Sequence, residues 1–319
     1  MSAEAEFVAE TEPYRRELLA HCYRMLGSVH DAEDLVQDVY LRAWRSYADF
    51  ERRASVRTWL YRIATNACLN ALQLHGRRRV LPSGLGAPSA DPTVPADVGG
   101  PDVSWLEPMP DALVFPAAEA LDPAVVVSER AGLRLALIAS LQLLSGPQRA
   151  ALILRDVLAF PAAEVAQILG TTTPAVKSSL QRARGRLREA APSADEVTEP
   201  SEPEFRALVD QYAQAFETAD TAALEKLLCQ DATLEAPPFR SWVAGRATCV
   251  PFLREFVLGN PGDWRMLPTA ANGRPALAAY YRSEGYGIVT FAVRPSGIAA
   301  VVSFGDPDLL PTFGFPNRL

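Results

Sequence analysis

Polar side chains recur at every fourth position in the segment RTWLYRIATNACLNAL, where Arg62, Asn66 and Asn70 follow one another. Residues four apart lie on the same face of an α-helix, so these three side chains align. An asparagine amide offers a donor and an acceptor together, which suits a base edge, and arginine suits phosphate. The face therefore indicates contact with nucleic acid, although an ordinary solvated helix face has the same spacing.

A second set of candidate DNA-binding residues follows a sharp turn in FPAAEVAQILGTTTPAVKSSLQRARGRLRE. Gly170 permits a left-handed turn, Thr173 can cap the next helix, and Pro174 fits the first position of that helix. The outward positions of this helix are Lys177, Ser178, Gln181, Arg182 and Arg184. The spacing predicts a helix-turn-helix whose second helix enters the major groove, and a merely solvated basic helix is the alternative.

Residue types that support metal binding or catalysis are scattered along the chain. The four cysteines, Cys22, Cys68, Cys229 and Cys249, form no CxxC or Cys/His spacing, so we expect buried free thiols. We predict no metal site, no catalytic residue and no cofactor.

The net charge of −7 hides a strong segregation of charge along the chain. Residues 130–190 hold nine Lys/Arg against three Asp/Glu, whereas residues 81–129 hold eight acidic side chains and no basic one. A basic segment is the electrostatic footprint of phosphate binding, so the distribution indicates a DNA-facing segment beside an acidic connector. A solvated helix face again remains the alternative.

The totals are those of a soluble globular protein, with 49% apolar and 22% charged residues in a chain of 319. This length predicts two or three domains. The sequence has no uninterrupted apolar run of about 18 residues, and its N-terminus is acidic where a signal peptide would be basic. We therefore expect a cytoplasmic protein with no membrane contact.

Composition divides the chain into three folded segments and two linkers. Residues 1–80 have helical spacing, whereas residues 81–129 contain nine prolines and four glycines and form an extended linker. Helical spacing returns over 130–192, and 193–203 is a second, acidic linker. Residues 204–319 begin with two amphipathic helices and continue in the strand-like runs PALAAYYR, YGIVTFAVR and GIAAVVSF. The sequence thus predicts two all-α domains followed by an α+β domain.

Two amphipathic helices form the first segment. In DAEDLVQDVYLRAWRSY the apolar stripe is Ala32, Leu35, Val36, Val39, Ala43 and Trp44. The opposite, acidic face presents Asp31, Asp34, Gln37 and Asp38. The next helix is predicted to bury Val56, Trp59, Leu60, Ile63, Ala67, Ala71 and Leu74, which leaves the Asn66 face outside.

The order DAEDLVQDVYLRAW, a short loop around Phe50, and RTWLYRIATNACLNAL resembles the second conserved domain of extracytoplasmic-function (ECF) sigma factors of the sigma-70 type. The resemblance implies that Asp31, Asp34, Gln37 and Asp38 dock on the clamp helices of the largest subunit of core RNA polymerase. It also implies that Phe50, Arg62, Asn66 and Asn70 hold a flipped base of the minus-ten promoter element. A base can be read on its pairing edge only once it is unstacked, so this role fits the residue types.

The helix-turn-helix segment resembles the fourth conserved domain of the same family. By that resemblance Arg155, Lys177, Ser178, Gln181, Arg182 and Arg184 contact the minus-thirty-five element of promoter DNA. The long connector contains SWLEPMPDALV, which is similar to the linker motif of ECF factors that bear a C-terminal extension. Trp105, Leu106 and Pro108 of this motif are therefore expected to make an interdomain contact.

The C-terminal segment resembles the NTF2-like, SnoaL-like fold, a sheet wrapped by helices into a cone. Some members of that fold are enzymes, which need a positioned acid or base inside the cone. All three histidines lie outside this segment, and its candidate carboxylates, Asp210, Asp231, Glu235 and Asp263, suit caps, turns or the surface. We expect a built-in regulator that packs against the linker and the N-terminal bundle, with no ligand of the cone identified.

Two other classes of protein remain as alternatives. One is a SnoaL-like enzyme or ligand sensor fused to a DNA-binding regulator, and its sign would be a deep cone with a buried, partnered carboxylate. The other is a one-component regulator that binds duplex DNA without polymerase. The Asn66 and Asn70 face and the acidic Asp31 helix speak against the latter.

Overall fold

A computed structural model describes residues 3–75, 78–89, 91, 100, 102–115, 130–190 and 202–319. The chain divides into two compact units. The first joins Met1–Arg79 to Leu113–Ser193, and the second joins Val80–Ala112 to Ala194–Leu319. A short helix, Asp111–Val114, spans the division.

Four helices form the N-terminal part of the first unit. They are α1 Ala3–Thr11, α2 Arg15–Leu26, α3 Val29–Ser46 and α4 Val56–His75. Gly27 ends α2 in the left-handed region at φ 75°, where its N–H bonds the Tyr23 carbonyl. Ser28 then caps α3 by accepting a hydrogen bond from the Asp31 N–H. The two helices therefore meet at a sharp corner.

The buried face of this part largely follows the predicted stripes, with Val36, Val39, Trp59 and Leu60 all at most 5% exposed. Two predicted core residues lie elsewhere. Leu74 is 84% exposed near the end of α4, and Trp44 is 42% exposed on α3. An apolar periodicity can continue along a helix beyond the point where neighbouring helices cover it. Periodicity alone therefore predicts burial for residues that are in fact exposed.

Residues 130–190 of the first unit contain α6 Leu135–Leu141, α7 Gly146–Leu152, α8 Ala162–Ile168 and α9 Thr173–Ala190, and the preceding short helix Asp111–Val114 is α5. Helices α8 and α9 form a helix-turn-helix. Gly170 adopts φ 59° at the turn, as its position predicted. The N-cap of α9 is Thr172, whose Oγ1 accepts a hydrogen bond from the Ala175 N–H at 3.4 Å. Thr173, the predicted cap, is instead the first residue of the helix. A one-residue shift of this kind is the usual error of a cap read from sequence.

A fully buried histidine lies at the centre of the N-terminal part. His21 is 0% exposed, its Nε2 lies 3.0 Å from Thr65 Oγ1, and its ring packs edge-on against Tyr61. Burial, together with the charge of Arg24, lowers the pKa of His21 to about 3. The folded chain therefore holds this ring neutral.

Acid should destabilise the first unit through His21. The unfolded ring takes up a proton below about pH 6.5 while the folded ring stays neutral down to about pH 3, so stability is present above pH 6.5 and is lost as pH falls. Each pH unit in this window costs about 1.4 kcal/mol, which gives about 2 kcal/mol between pH 7.5 and pH 5. Urea titrations of wild type and His21→Gln at both pH values measure the difference.

The His21→Gln variant should show a shallower loss of stability over the same interval. NMR of the histidine ring provides a second measurement, which needs no variant. A ring that titrates near pH 6.5 in the folded protein would contradict the prediction.

The second unit is an α+β fold built on one six-stranded sheet. Its helices are α10 Glu202–Glu217, α11 Thr221–Leu227, α12 Arg246–Phe256 and α13 Leu309–Thr312. Its strands are β1 Leu228–Glu235, β2 Val243–Ala244, β3 Trp264–Ala271, β4 Arg274–Tyr281, β5 Glu284–Arg294 and β6 Gly297–Phe304. The sheet order is β2-β1-β6-β5-β4-β3, and only the β1–β6 pair among these strands is parallel.

The main core of this unit lies on one face of the sheet. Leu277, Val289, Phe291 and Val301 of the strands join Phe205, Tyr212 and Phe216 of α10 in a single buried cluster. Trp264 lies edge-on to Phe216 and also to Tyr286, with ring centroids 5.3 and 5.1 Å apart. This aromatic cluster occupies the space between the helices and the sheet.

The opposite face of the sheet is also buried. Tyr280, Ile288 and Thr290 alternate with the helix-facing residues and are at most 6% exposed. Segment Val80–Ala112 is hydrogen-bonded at Ser89 and at Met109 to residues that adjoin strands of the sheet. The Ser89 N–H bonds the Trp242 carbonyl at 2.7 Å, and the Asn272 N–H bonds the Met109 carbonyl at 2.9 Å. The segment predicted as a linker thus belongs, over this range, to the second unit.

Candidate nucleic-acid interface

The loop between α3 and α4 carries Phe50 at the edge of a cavity. The Phe50 ring stacks on Trp59, with centroids 4.6 Å apart and planes 20° apart. Phe50, Trp59, Arg62 and Ile63 all line this cavity of about 390 Å³. Its volume lies in the range of small-molecule binding pockets. The structure therefore brings two predicted minus-ten residues, Phe50 and Arg62, to one concave site.

Asn66 and Asn70 lie further along the same side of α4. Both are exposed, and both are outside the lining of the cavity. Their alignment with Arg62 extends a polar strip away from the cavity along the helix. A strand of nucleic acid whose base entered the cavity would find this strip next to it.

Helix α8 forms the far wall of the same cavity, through Gln167 and Ile168. Beside that wall the Thr58 hydroxyl donates to Glu164 Oε2 at 3.0 Å. Phe160 packs edge-on to Tyr61 at 5.0 Å, and the Arg57 guanidinium lies 4.4 Å from the Phe160 ring. The helix-turn-helix is therefore packed across the start of α4.

Sequence reasoning missed this wall. Thr58 lies four positions before Arg62, in line with the predicted polar face, yet it is 7% exposed. Its partner Glu164 is 106 residues away along the chain. Local spacing carries no signal for such a pairing, so Glu164, Gln167 and Ile168 could not be assigned to the site from sequence.

The outward face of α9 is only partly free. Lys177 and Gln181 are exposed, whereas Ser178 accepts a hydrogen bond from Arg182 Nη1 at 2.7 Å. Arg184 donates to both carboxylate oxygens of Asp156, at 3.0 and 2.7 Å, and this ion pair raises the pKa of its guanidinium. The Arg182 side chain is exposed and can reach a groove from this position, while Arg184 is held back towards its own domain.

Arg155, predicted at the same promoter element, lies on a π-helical turn, Ile153–Val157, that follows α7. Its Nη1 donates to the Phe160 carbonyl at 3.1 Å, and the residue stays exposed. The bond keeps the arginine beside the turn that leads into α8.

The acidic face of α3 is exposed at Asp31, Asp34 and Gln37. Asp31 forms an ion pair with Arg79 at 2.5 Å, and Asp38 forms one with Arg42 at 2.7 Å. Leu41, 56% exposed, and Trp44 add apolar area to the outer surface of this helix. Exposed apolar side chains rimmed by polar residues are typical of protein docking sites.

The predicted linker residues are held in the second unit. Leu106 is 1% exposed, Pro108 is buried and Trp105 is half-buried. The Leu106 N–H donates to the Val80 carbonyl at 3.0 Å. This bond pairs the start of segment Val80–Ala112 with the residues around Trp105. Leu106 is therefore more deeply buried than Trp105.

The candidate carboxylates of the second unit lie outside its aromatic core. Asp210 is exposed, Asp231 bonds Arg294 at 2.8 Å, and Asp263 bonds Arg282, which with Asn260 lowers the pKa of Asp263 to about 2. Glu235 is buried, and desolvation raises its pKa, but it accepts from the Ser83 N–H at 2.8 Å on the face opposite the core. None of the four is placed as an acid or base inside the cluster of buried residues between helices and sheet.

Within the described ranges, no group of three His, Cys, Asp or Glu side chains is arranged to hold a metal ion. The same ranges contain no helix that is both long and apolar enough to span a membrane.

Comparison with known proteins shows two matching families, Sigma-70 region 2 over residues 11–78 and Sigma-70, region 4 over residues 134–187. The ECF RNA polymerase sigma factor SigG of Mycobacterium tuberculosis is 49% identical, over 98% of this chain and 85% of SigG. SigJ from the same organism is 29% identical over 94% of this chain and 92% of SigJ. The crystal structure of SigJ covers 98% of this chain with a TM-score of 0.62 at 24% identity, which shows a shared fold.

Two helical sigma-70 domains in this order define a sigma factor, the class of protein that directs transcription initiation from promoters. The chain belongs to the ECF RNA polymerase sigma factors. Its fold, including the α+β unit at the C-terminal end, is shared with SigJ. The predicted family and fold class are thereby confirmed. The roles of individual residues stay predictions.

Proposed function

We propose that this chain binds core RNA polymerase, captures a flipped base of the minus-ten element beside Phe50, and reads the minus-thirty-five element with α9. The observation that carries the proposal is the cavity shared by Phe50, Trp59 and Arg62. An aromatic ring and an arginine at a concave site are the groups that hold an unstacked base. No residue of the chain is assigned a catalytic role, and the chain acts only with core polymerase.

Docking on core polymerase is assigned to α3. Its exposed Asp31, Asp34 and Gln37 and its half-buried Asp38 supply charge, while Leu41 and Trp44 supply apolar area. Resemblance to the family points to the clamp helices of the largest subunit as the partner. Co-purification with core enzyme at low salt tests this assignment, and failure to form the complex would count heavily against it.

Promoter reading should divide between two separate faces of the first unit. Asn66→Ala should weaken open-complex formation and leave binding to a minus-thirty-five duplex intact, because Asn66 is an exposed amide beside the cavity. Arg182→Ala should weaken binding to the minus-thirty-five duplex and leave opening at the minus-ten element intact. If Arg182 makes a bidentate base contact, its loss should cost about 1 to 3 kcal/mol of binding free energy and relax specificity at that base.

Permanganate footprinting of the open complex and duplex binding by fluorescence anisotropy measure the two effects. Arg206→Ala, which removes an exposed arginine from the second unit, is the control for loss of charge. Equal effects of Asn66→Ala and Arg182→Ala in both assays would contradict the division.

The second unit is assigned a regulatory role that acts through segment Val80–Ala112. This segment lies between the two sigma domains in sequence, and hydrogen bonds from Ser83, Ser89 and Met109 hold it to the C-terminal sheet. Holding the segment shortens the free chain between the two promoter-reading parts. An enzymatic role is not proposed, because the buried carboxylate Glu235 faces Ser83 on the side of the sheet away from the aromatic core.

A further inference from the structure

Helix α1 is a fixed part of the N-terminal bundle. Phe7 is 6% exposed, and its ring lies edge-on to Trp44 and Tyr47, with both centroid distances at 5.2 Å. The Tyr40 hydroxyl donates to the Thr11 carbonyl at 2.8 Å, which fastens the end of the helix. Apart from Thr11, this helix precedes the residues that match Sigma-70 region 2.

Glu10 of α1 connects both sides of the loop that carries Phe50. Its Oε2 accepts from the Tyr47 hydroxyl at 3.0 Å, and its Oε1 accepts from Arg52 Nη1 at 2.9 Å. Arg52 also donates through Nη2 to Glu6 at 3.2 Å. One carboxylate thus holds a residue before Phe50 and a residue after it.

The backbone at Arg52 needs such support. Arg52 adopts φ 55°, in the left-handed region that non-glycine residues seldom occupy. A conformation of this kind persists only where surrounding contacts hold it. The forked ion pair with Glu10 and Glu6 supplies those contacts on the side of the loop facing α1.

We infer that Glu10 is a positioning residue for base capture: through Arg52 and Tyr47 it fixes the loop so that Phe50 stays stacked on Trp59 at the cavity. This inference rests on the proposed function of that cavity. The hydrogen bond from Arg52 also lowers the pKa of Glu10, so the carboxylate is charged at neutral pH. The specificity of minus-ten reading then depends on a helix that lies, except for Thr11, outside the residues that match Sigma-70 region 2.

Hydrogen exchange on the free chain tests the positioning step directly. Glu10→Gln and Glu10→Ala should speed exchange of the amides of residues 48–54 by roughly threefold to fivefold, the range expected for one exposed ion pair. Glu4→Gln removes the same charge from the same helix, away from the loop, and should leave these rates unchanged. Glu10→Ala and Arg52→Ala both remove the Glu10–Arg52 contact, so the double variant should change exchange by less than the sum of the two single variants. The Arg52–Glu6 and Tyr47–Glu10 bonds are each lost in only one of the single variants.

Transcription by the holoenzyme tests the consequence. The probe is a promoter library with a randomised minus-ten region, and the abundance of each transcript reports base preference. Glu10→Ala should reduce the preference at one or two minus-ten positions by roughly threefold to fivefold, with minus-thirty-five preference retained.

Four outcomes separate the inference from the proposed function. Faster loop exchange with relaxed minus-ten preference supports both. Unchanged exchange in Glu10→Ala overturns the positioning role, whatever transcription shows. Equal loss of preference at both elements overturns it in favour of a general structural effect. The fourth outcome is faster loop exchange in Glu10→Ala together with a wild-type protein that shows no base preference in the minus-ten region. It overturns both the proposed function and the role of Glu10 in base capture, while the contact of Glu10 with the loop stands.

Discussion

Leu106→Ala should lower the free energy of unfolding of the second unit by about 2 to 5 kcal/mol, the range for truncating a fully buried leucine. Leu106 is 1% exposed and lies on segment Val80–Ala112, between the Val80 pairing and the bonds from Met109 to Asn272. Its truncation therefore removes buried apolar area from the part of the segment that pairs with Val80. A urea titration followed by tryptophan fluorescence measures the change, because Trp105, Trp242 and Trp264 all lie in this unit.

The matched control for this prediction is Leu85→Ala. Leu85 belongs to the same segment but is 40% exposed, so its truncation should cost well under about 1 kcal/mol. Trp105→Ala should fall between the two, since Trp105 is half-buried. Equal costs for Leu106 and Leu85 would show that the segment is not held by its buried side chains.

Release of this segment should also change transcript yield if the second unit regulates through it. Leu106→Ala and a chain lacking residues 195–319 should then alter yield in the same direction, because both lengthen the free connection between the promoter-reading parts. Unchanged yield in both variants would remove the regulatory role and favour a ligand-binding role for the C-terminal α+β domain.

Local signals were sufficient for most of the elements. Gly170 and Pro174 mark the helix-turn-helix because a left-handed turn and a fixed φ are properties of single residues. The apolar stripes of α3 and α4 predicted their buried faces because helical periodicity is likewise local. The apolar content of SWLEPMPDALV is unusual in an acidic and proline-rich connector and predicted that this segment packs against a surface. Leu106 and Met109 of this segment are buried.

Contacts between distant segments could not be predicted in this way. The wall that α8 adds to the Phe50 cavity depends on Thr58 meeting Glu164, and the loop conformation depends on Arg52 meeting Glu10. Each pair joins residues at least 42 positions apart, and their types would suit ordinary solvent-exposed positions equally well. Family resemblance does not help with Glu10, which precedes the matched region.

Arg149→Met should lower the stability of the first unit by about 3 to 5 kcal/mol, because it leaves several buried acceptors without a donor. Arg149 is 3% exposed on α7 and donates to Gln142 Oε1 at 2.6 Å, to the carbonyls of Gln142 and Leu144 at 3.3 and 3.2 Å, and to the carbonyl of Met25. Burial lowers the pKa of its guanidinium to about 10, which shows how far this charge is removed from water. Methionine fills similar volume, yet it has no hydrogen to offer the three carbonyls that remain buried.

Arg149→Lys should lie between wild type and Arg149→Met, since an ammonium group keeps the charge but cannot spread its donors over four acceptors. Lys177→Met, at an exposed cation of the same domain, should change stability by less than about 0.5 kcal/mol. The bond to Met25 also joins α7 to α2, so Arg149→Met should speed amide exchange in both the helix-turn-helix and the end of α2. Urea midpoints and hydrogen exchange measure these effects. A loss confined to α7, with α2 exchange unchanged, would show that the Met25 bond does not couple the two sigma domains.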